Sequence, residues 1–137
     1  TIAGRMCIEE KNGITVLNDV YNANPGSMRA ALDVLAYAEG GRVCILGDML
    51  ELGEQAEQYH RELGRYAAKN ADRVLCVGAL AKYICEEAHN AGAEAEWFRT
   101  QDELLEKLGG FIHAGDAVLV KASRGMRLER TVEQLLK

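Results

Sequence analysis

Asp19-Val20-Tyr21-Asn22-Ala23-Asn24-Pro25-Gly26-Ser27-Met28 is the junction from which the rest of the chain can be read. The residues before it, Gly13-Ile14-Thr15-Val16-Leu17-Asn18, carry the β-branched, apolar signal of a strand. After it, Met28, Ala31, Leu32, Leu35 and Ala36 recur at i, i+3, i+4, i+7 and i+8, the apolar face of a helix. Asn24 suits the N-cap, where its side-chain carbonyl can accept from first-turn amides, and Pro25 suits the first helical position, where a missing N–H costs nothing. An acid therefore stands where a strand ends, and backbone amides expected to be free stand where a helix begins. In open α/β sheets ligands bind at such places, and the amides and helix dipole favour an anion such as phosphate. Asx-Pro-Gly pieces also begin helices that bind nothing, and neither a Walker loop nor a strand followed by G-x-G-x-x-G occurs, so both readings stay open at this level.

Outward from the junction the pattern repeats. Upstream, Arg5-Met6-Cys7-Ile8-Glu9-Glu10 leads into Asn12-Gly13, a strong hairpin signal, so the domain opens with an antiparallel pair whose second strand delivers Asp19. Downstream, the helix from Pro25 to about Tyr37 stops near Gly40-Gly41. Arg42–Gly47, Asp72–Gly78 and Asp116–Ala122 are short apolar runs of buried, parallel-sheet type, and Ala95–Phe98 is a short strand nearer an edge. Helices are expected from about Gln55 to Asn70, through Leu80 to Ala88, from Thr100, where a capping box opens the run, and from Leu128 to the end. Strands alternating with helices define an α/β fold: a Rossmann-like, mostly parallel sheet with an N-terminal antiparallel hairpin and helices on both faces.

A chain of 137 residues is one domain by size, here 1–137. It is 48% hydrophobic and 27% charged, with formal net charge −5. No Lys/Arg stripe and few aromatics argue against a nucleic-acid partner. No apolar run is long enough to span a membrane. Cys7, Cys44, Cys76 and Cys85 lack C-x-x-C or zinc spacing and sit in apolar runs, as structural thiols of a reducing cytoplasm do. His60 falls in mid-helix, where a surface or capping role is expected ahead of a ligand role. The start at Thr1 without Met points to a piece of something longer.

Three loops follow strands of the parallel sheet, 19–27, 47–53 and 122–126, and so are expected on one edge. Their polar residues are Asp19, Asn22, Asn24, Ser27, Asp48, Ser123 and Arg124. This inventory suits a polar, phosphate-like or amino-acid-like ligand. It does not suit hydrolysis, because no nucleophile–base pair, H-E-x-x-H or carboxylate-pair motif appears.

Asn18-Asp-Val-Tyr-Asn-Ala-Asn-Pro-Gly-Ser-Met-Arg-Ala-Ala-Leu32 closely resembles the opening of the C-terminal domain of the Mur ligases, bacterial enzymes that add amino acids to the cell-wall precursor. Leu46-Gly-Asp-Met-Leu-Glu-Leu-Gly53 and Lys121-Ala-Ser-Arg-Gly-Met-Arg-Leu-Glu129 are similar to the branch that adds D-alanyl-D-alanine to UDP-N-acetylmuramoyl-tripeptide. Three motifs in order, spanning Arg5 to Leu136, make the resemblance specific. It implies the third domain of a monomeric cytoplasmic enzyme. An N-terminal domain for the UDP-sugar and a central P-loop domain for ATP and Mg2+, with a carbamylated lysine, would precede it. This domain would close over the central one, cover the nucleotide and present the dipeptide. Carried over residue by residue, Arg5 is the catalytic candidate, reaching the terminal phosphate. Asp19 accepts from the ribose hydroxyls, and Tyr21, Asn22 and Asn24 shape the loop beside the nucleotide. Ser123 and Arg124 sit near the dipeptide, as does Asp48; no metal ligand is expected in this chain. Val20 departs from the small polar or acidic residue common in the family. A stand-alone nucleotide- or small-molecule-binding module, or the matching domain of a folate- or cyanophycin-extending ligase, are the alternatives.

Overall fold

The computed structural model describes residues 6–137. Its strands are β1 (Cys7–Lys11), β2 (Ile14–Asp19), β3 (Arg42–Gly47), β4 (Arg73–Val77), β5 (Glu94–Phe98) and β6 (Ala117–Lys121). They form one sheet in the order β1-β2-β6-β3-β4-β5. Strands β1 and β2 are antiparallel, and every other neighbouring pair is parallel. The hairpin turn is made by Asn12 and Gly13 at φ 55° and 81°, the doubly left-handed backbone that Asn-Gly tolerates. The helices are α1 (Pro25–Leu35), α2 (Ala56–Asn70), α3 (Ala81–Asn90), α4 (Gln101–Lys107) and α5 (Glu129–Leu135).

Alternation along the strands builds a core on each face of the sheet. Leu17, Cys44, Leu46, Val74, Cys76 and Leu119 face one side, under Met28, Leu32 and Leu35 of α1, Leu63 of α2 and Ile84 of α3. Val16, Val43, Ile45, Leu75, Val118 and Val120 face the other, under Leu104 of α4 and Val132 and Leu135 of α5. The α/β fold with helices on both faces is therefore as the sequence indicates. Burial pushes the Cys44 and Cys76 thiols up, which keeps them protonated and inert.

Because β2, β3 and β6 are parallel and adjacent, their carboxyl ends lie side by side. The loops 19–27, 47–53 and 122–126 thus share one sheet edge. Two bonds stitch the second to the third: the Ser123 amide donates to the Asp48 carbonyl at 3.0 Å, and the Leu50 amide to Ser123 Oγ at 2.8 Å.

Candidate functional site at the carboxyl edge of the sheet

Asp19 ends β2 and is 6% exposed. In register with it on β6 stands Lys121, 2% exposed. Its Nζ lies 2.9 Å from Asp19 Oδ2 and donates to the Asn22 carbonyl at 2.8 Å. Asp19 Oδ1 is buried and has no hydrogen-bond partner among the described residues. A buried carboxylate with one oxygen neutralised by an ammonium and the other without a partner among the described residues has capacity for one further donor.

The turn after Asp19 is held on its outer side too. The Arg124 guanidinium sits 4.9 Å from the centroid of the Tyr21 ring, a cation–π contact that joins the first loop to the third. The Ala23 amide donates to Asn22 Oδ1 at 2.8 Å. Asn24 caps α1: the Ser27 amide donates to its Oδ1 at 2.8 Å, and its own amide donates to Ser27 Oγ at 3.0 Å. This reciprocal box corrects the expectation of free amides at the start of α1. Pro25 has no N–H, Ser27 N goes to Asn24 Oδ1 and Met28 N to the Asn24 carbonyl, so among the described residues only the Gly26 amide is left without a partner there. The anion-binding power of this helix end is correspondingly small, and Asn24 acts on the loop through its cap.

Asp48 is engaged elsewhere. The Leu80 and Ala81 amides donate to its Oδ1 at 3.0 and 2.7 Å, so a residue at the end of β3 caps α3. Gly78 makes room for it, since a Cβ there would fall 2.5 Å from Asp48 Oδ1. Burial pushes the Asp48 carboxyl up, and the two amides and nearby His60 oppose that. His60 is fully buried, not on the surface. Its Nε2 accepts from the Met49 amide at 3.0 Å, and its Nδ1 faces the Ala56 carbonyl at 2.7 Å. That pair of contacts selects the neutral ring with its proton on Nδ1, and burial holds its pKa below the ordinary value. His60 therefore anchors the second loop to α2.

A cavity of about 650 Å³ opens beside the third loop, lined by Arg124, Gly125, Arg127, Glu129 and Arg130. Arg124 thus faces both this cavity and Tyr21. Arg5 lies outside the described residues. Of the other candidates, Asp19, Tyr21, Asn22, Ser123 and Arg124 come together on the edge, while Asn24 and Asp48 cap helices beside it. Lys121 was missed as a site residue, although a lysine inside Ala-Val-Leu-Val-Lys-Ala already signals a buried cation that needs a carboxylate. No three His, Cys, Asp or Glu side chains converge to hold a metal among the described residues, and Asp19 offers its free oxygen beside an ammonium. This donor set does not fit Mg2+.

These observations define an α/β domain of parallel-sheet type whose strand-end loops share one edge, and its family can be stated. The model of the Mur ligase, glutamate ligase domain family matches residues 4–124, and the chain belongs to that family. It is 37% identical over 134 residues to the UDP-N-acetylmuramoyl-tripeptide–D-alanyl-D-alanine ligase of Bacillus subtilis, covering 94% of this chain and 29% of that protein. It superposes on a crystal structure of MurF from Acinetobacter baumannii with a TM-score of 0.88 at 35% identity, covering 97% of this chain and 30% of that one. MurF from Thermotoga maritima in complex with ADP gives 0.82 at 29% identity, covering 98% and 30%. The chain thus spans less than a third of the length of these relatives.

Proposed function

We propose that this chain is the C-terminal domain of an ATP-dependent amide-bond ligase that adds D-alanyl-D-alanine to UDP-N-acetylmuramoyl-tripeptide. The observation that carries the reading is the buried Asp19 carboxylate on the shared loop edge, with Oδ2 given to Lys121 and Oδ1 open. An open carboxylate oxygen takes a hydroxyl donor, and the ribose of a nucleotide offers two. The name of the Bacillus relative supports the substrates, and the ADP in the Thermotoga structure supports the nucleotide.

In this reaction the tripeptide carboxylate attacks the terminal phosphorus of ATP and ADP leaves. The dipeptide amine then attacks the acyl carbon, loses a proton, and phosphate departs as the amide forms. The work of this domain is to bind, orient and exclude water. Asp19 holds the ribose, and the turn carrying Tyr21 and Asn22, set by the Asn24 cap, covers the nucleotide. Arg5 steadies charge on the transferring phosphoryl group. Ser123 and Arg124 stand by the dipeptide, and Asp48 supports them through the loop that it anchors. Magnesium belongs to preceding domains in this reading, as do the P-loop and the UDP-sugar site.

The test compares the 137-residue chain with the full-length protein of the same gene. The full-length protein should release phosphate from ATP only when both tripeptide precursor and D-alanyl-D-alanine are present. The chain alone should fold, bind ATP very weakly and ligate nothing. A low-micromolar ATP affinity of the chain alone would favour a stand-alone binding module. Phosphate release driven by a single amino acid in place of the dipeptide would favour another ligase of the family.

A further inference from the structure

We propose that Lys121 is a positioning residue, which aims Asp19 so that its open oxygen takes a neutral hydroxyl donor. The inference rests on the ribose contact proposed above for Asp19 and adds the group that makes this contact selective.

Stability alone does not account for a lysine here. Lys121 ends a strand whose other residues, Ala117, Val118, Leu119 and Val120, are all buried, and Ala122 after it is buried as well. An apolar side chain would fill the space, and a buried ion pair is commonly no more stable than the hydrophobic residues that could replace it. What the ammonium does is geometric. An ion pair fixes Asp19 Oδ2 and a hydrogen bond fixes the Asn22 carbonyl, three residues on. Carboxylate and following turn are thereby locked to the same nitrogen, and Oδ1 has one direction in which to accept.

Charge sets the selectivity. Asp19 and Lys121 together are neutral, so Oδ1 presents an acceptor without net negative charge around it. A cationic ligand group would meet the ammonium only one carboxylate away. A hydroxyl meets an acceptor and no repulsion. Lys121 also stands three residues before Arg124, whose guanidinium lies over Tyr21. The single run 121–124 therefore holds the 19–22 turn from its buried side and from its solvent side.

The experiment uses the full-length enzyme with Asp19→Asn, Lys121→Met and the double variant. Steady-state constants are measured with ATP and with 2′,3′-dideoxy-ATP, and melting temperatures are recorded alongside. Lys121→Met should raise the KM for ATP by about tenfold, with kcat and the dipeptide KM within about twofold of wild type. The preference for ATP over the dideoxy nucleotide should shrink towards unity. Its melting temperature should fall, because the Asp19 carboxylate is left buried without its counter-charge. The double variant should regain the melting temperature yet keep the KM of Asp19→Asn, with no further increase. Recovery of the ATP KM together with the melting temperature in the double variant overturns the proposal, as does a double-variant KM that multiplies the two single effects. Should Lys121→Met fail to fold, the comparison of the double variant with Asp19→Asn decides alone. An unchanged ATP KM in Asp19→Asn refutes the ribose contact itself. A raised KM there with a normal KM and normal dideoxy discrimination in Lys121→Met refutes only the role of Lys121.

Discussion

Replacing Asp48 by Ala separates two roles for the second loop. The carboxylate takes the Leu80 and Ala81 amides and is 7% exposed, so water has little room to replace it. Loss of a helix cap costs about 0.5–2 kcal/mol, and a buried donor left without an acceptor costs about 1–3 kcal/mol. Removal also relieves the burial that pushes the Asp48 carboxyl up. The net is a loss of roughly 3 kcal/mol, which for a domain of this size lowers the Tm by about 10 °C. Asp48→Asn keeps an amide oxygen that can accept and gives up the charge, so about 1 kcal/mol is expected. Urea unfolding of the isolated chain, followed by circular dichroism, measures both, and the slope with denaturant should not change. A loss under about 1 kcal/mol in Asp48→Ala would refute the capping argument. So would Asp48→Asn in the full-length enzyme that keeps its stability while dipeptide kcat/KM drops about a hundredfold, since the charge would then be acting on substrate.

Other outcomes follow from the same geometry. His60 has its pKa held below 6.5, so as pH falls the unfolded chain takes up the proton first. Stability should therefore decline below pH 6.5, by at most about 1.4 kcal/mol per pH unit, and His60→Gln should flatten that slope in pH-dependent urea titrations. Asp48 has the opposite sign: its carboxyl is raised above 3.8, so the folded chain takes that proton first, and between 3.8 and the raised value stability is regained as pH falls. Gly64→Ala should destabilise by about 2 kcal/mol despite the better helix propensity of Ala, because a Cβ on α2 would lie 2.3 Å from the Ile84 carbonyl oxygen of α3. Thermal melts of the isolated chain check it, and an unchanged Tm would mean that the two helices part without cost. Arg5→Ala in the full-length enzyme should cut kcat by on the order of a hundredfold with Tm nearly constant, and near-normal turnover would remove Arg5 from the phosphate.

The layout of the sheet was legible because its signals are local. Asn12-Gly13 forces the hairpin, unbroken apolar runs along Val43–Leu46 and Val118–Val120 mark strands covered on both faces, and Asn24-Pro25 starts α1. The loop edge followed from strand direction alone. What escaped is what depends on strand order. Nothing near Lys121 in sequence points to Asp19, since they meet only because β6 inserts beside β2. Asp48 finds amides at Leu80 and Ala81, 32 and 33 residues on, because β4 lies beside β3. The expectation of free amides at α1 failed for a local reason: Ser27 at the third helical position completes a box with Asn24 that takes its amide, and the Asn24 carbonyl takes that of Met28. His60 escaped because the apolar periodicity of α2 says which face is buried, and not that Met49 of a distant loop reaches it.

The last strand in the chain stands third in the sheet, between β2 and β3. During synthesis, therefore, the hairpin and the β3–β4–β5 unit emerge as two halves that share no backbone hydrogen bond among the described residues. Their seam closes only when residues 117–121 leave the ribosome, and Lys121 then bonds a carbonyl 99 residues behind it. Until that moment Val16 and Ile45 have no strand between them, and each half exposes a bare edge. A nascent chain stalled before Ala117 should be a target for chaperones and proteases, and closure of the sheet should coincide with completion of the ligand edge. The domain has no way to acquire its Asp19–Lys121 pair before it has acquired its fold.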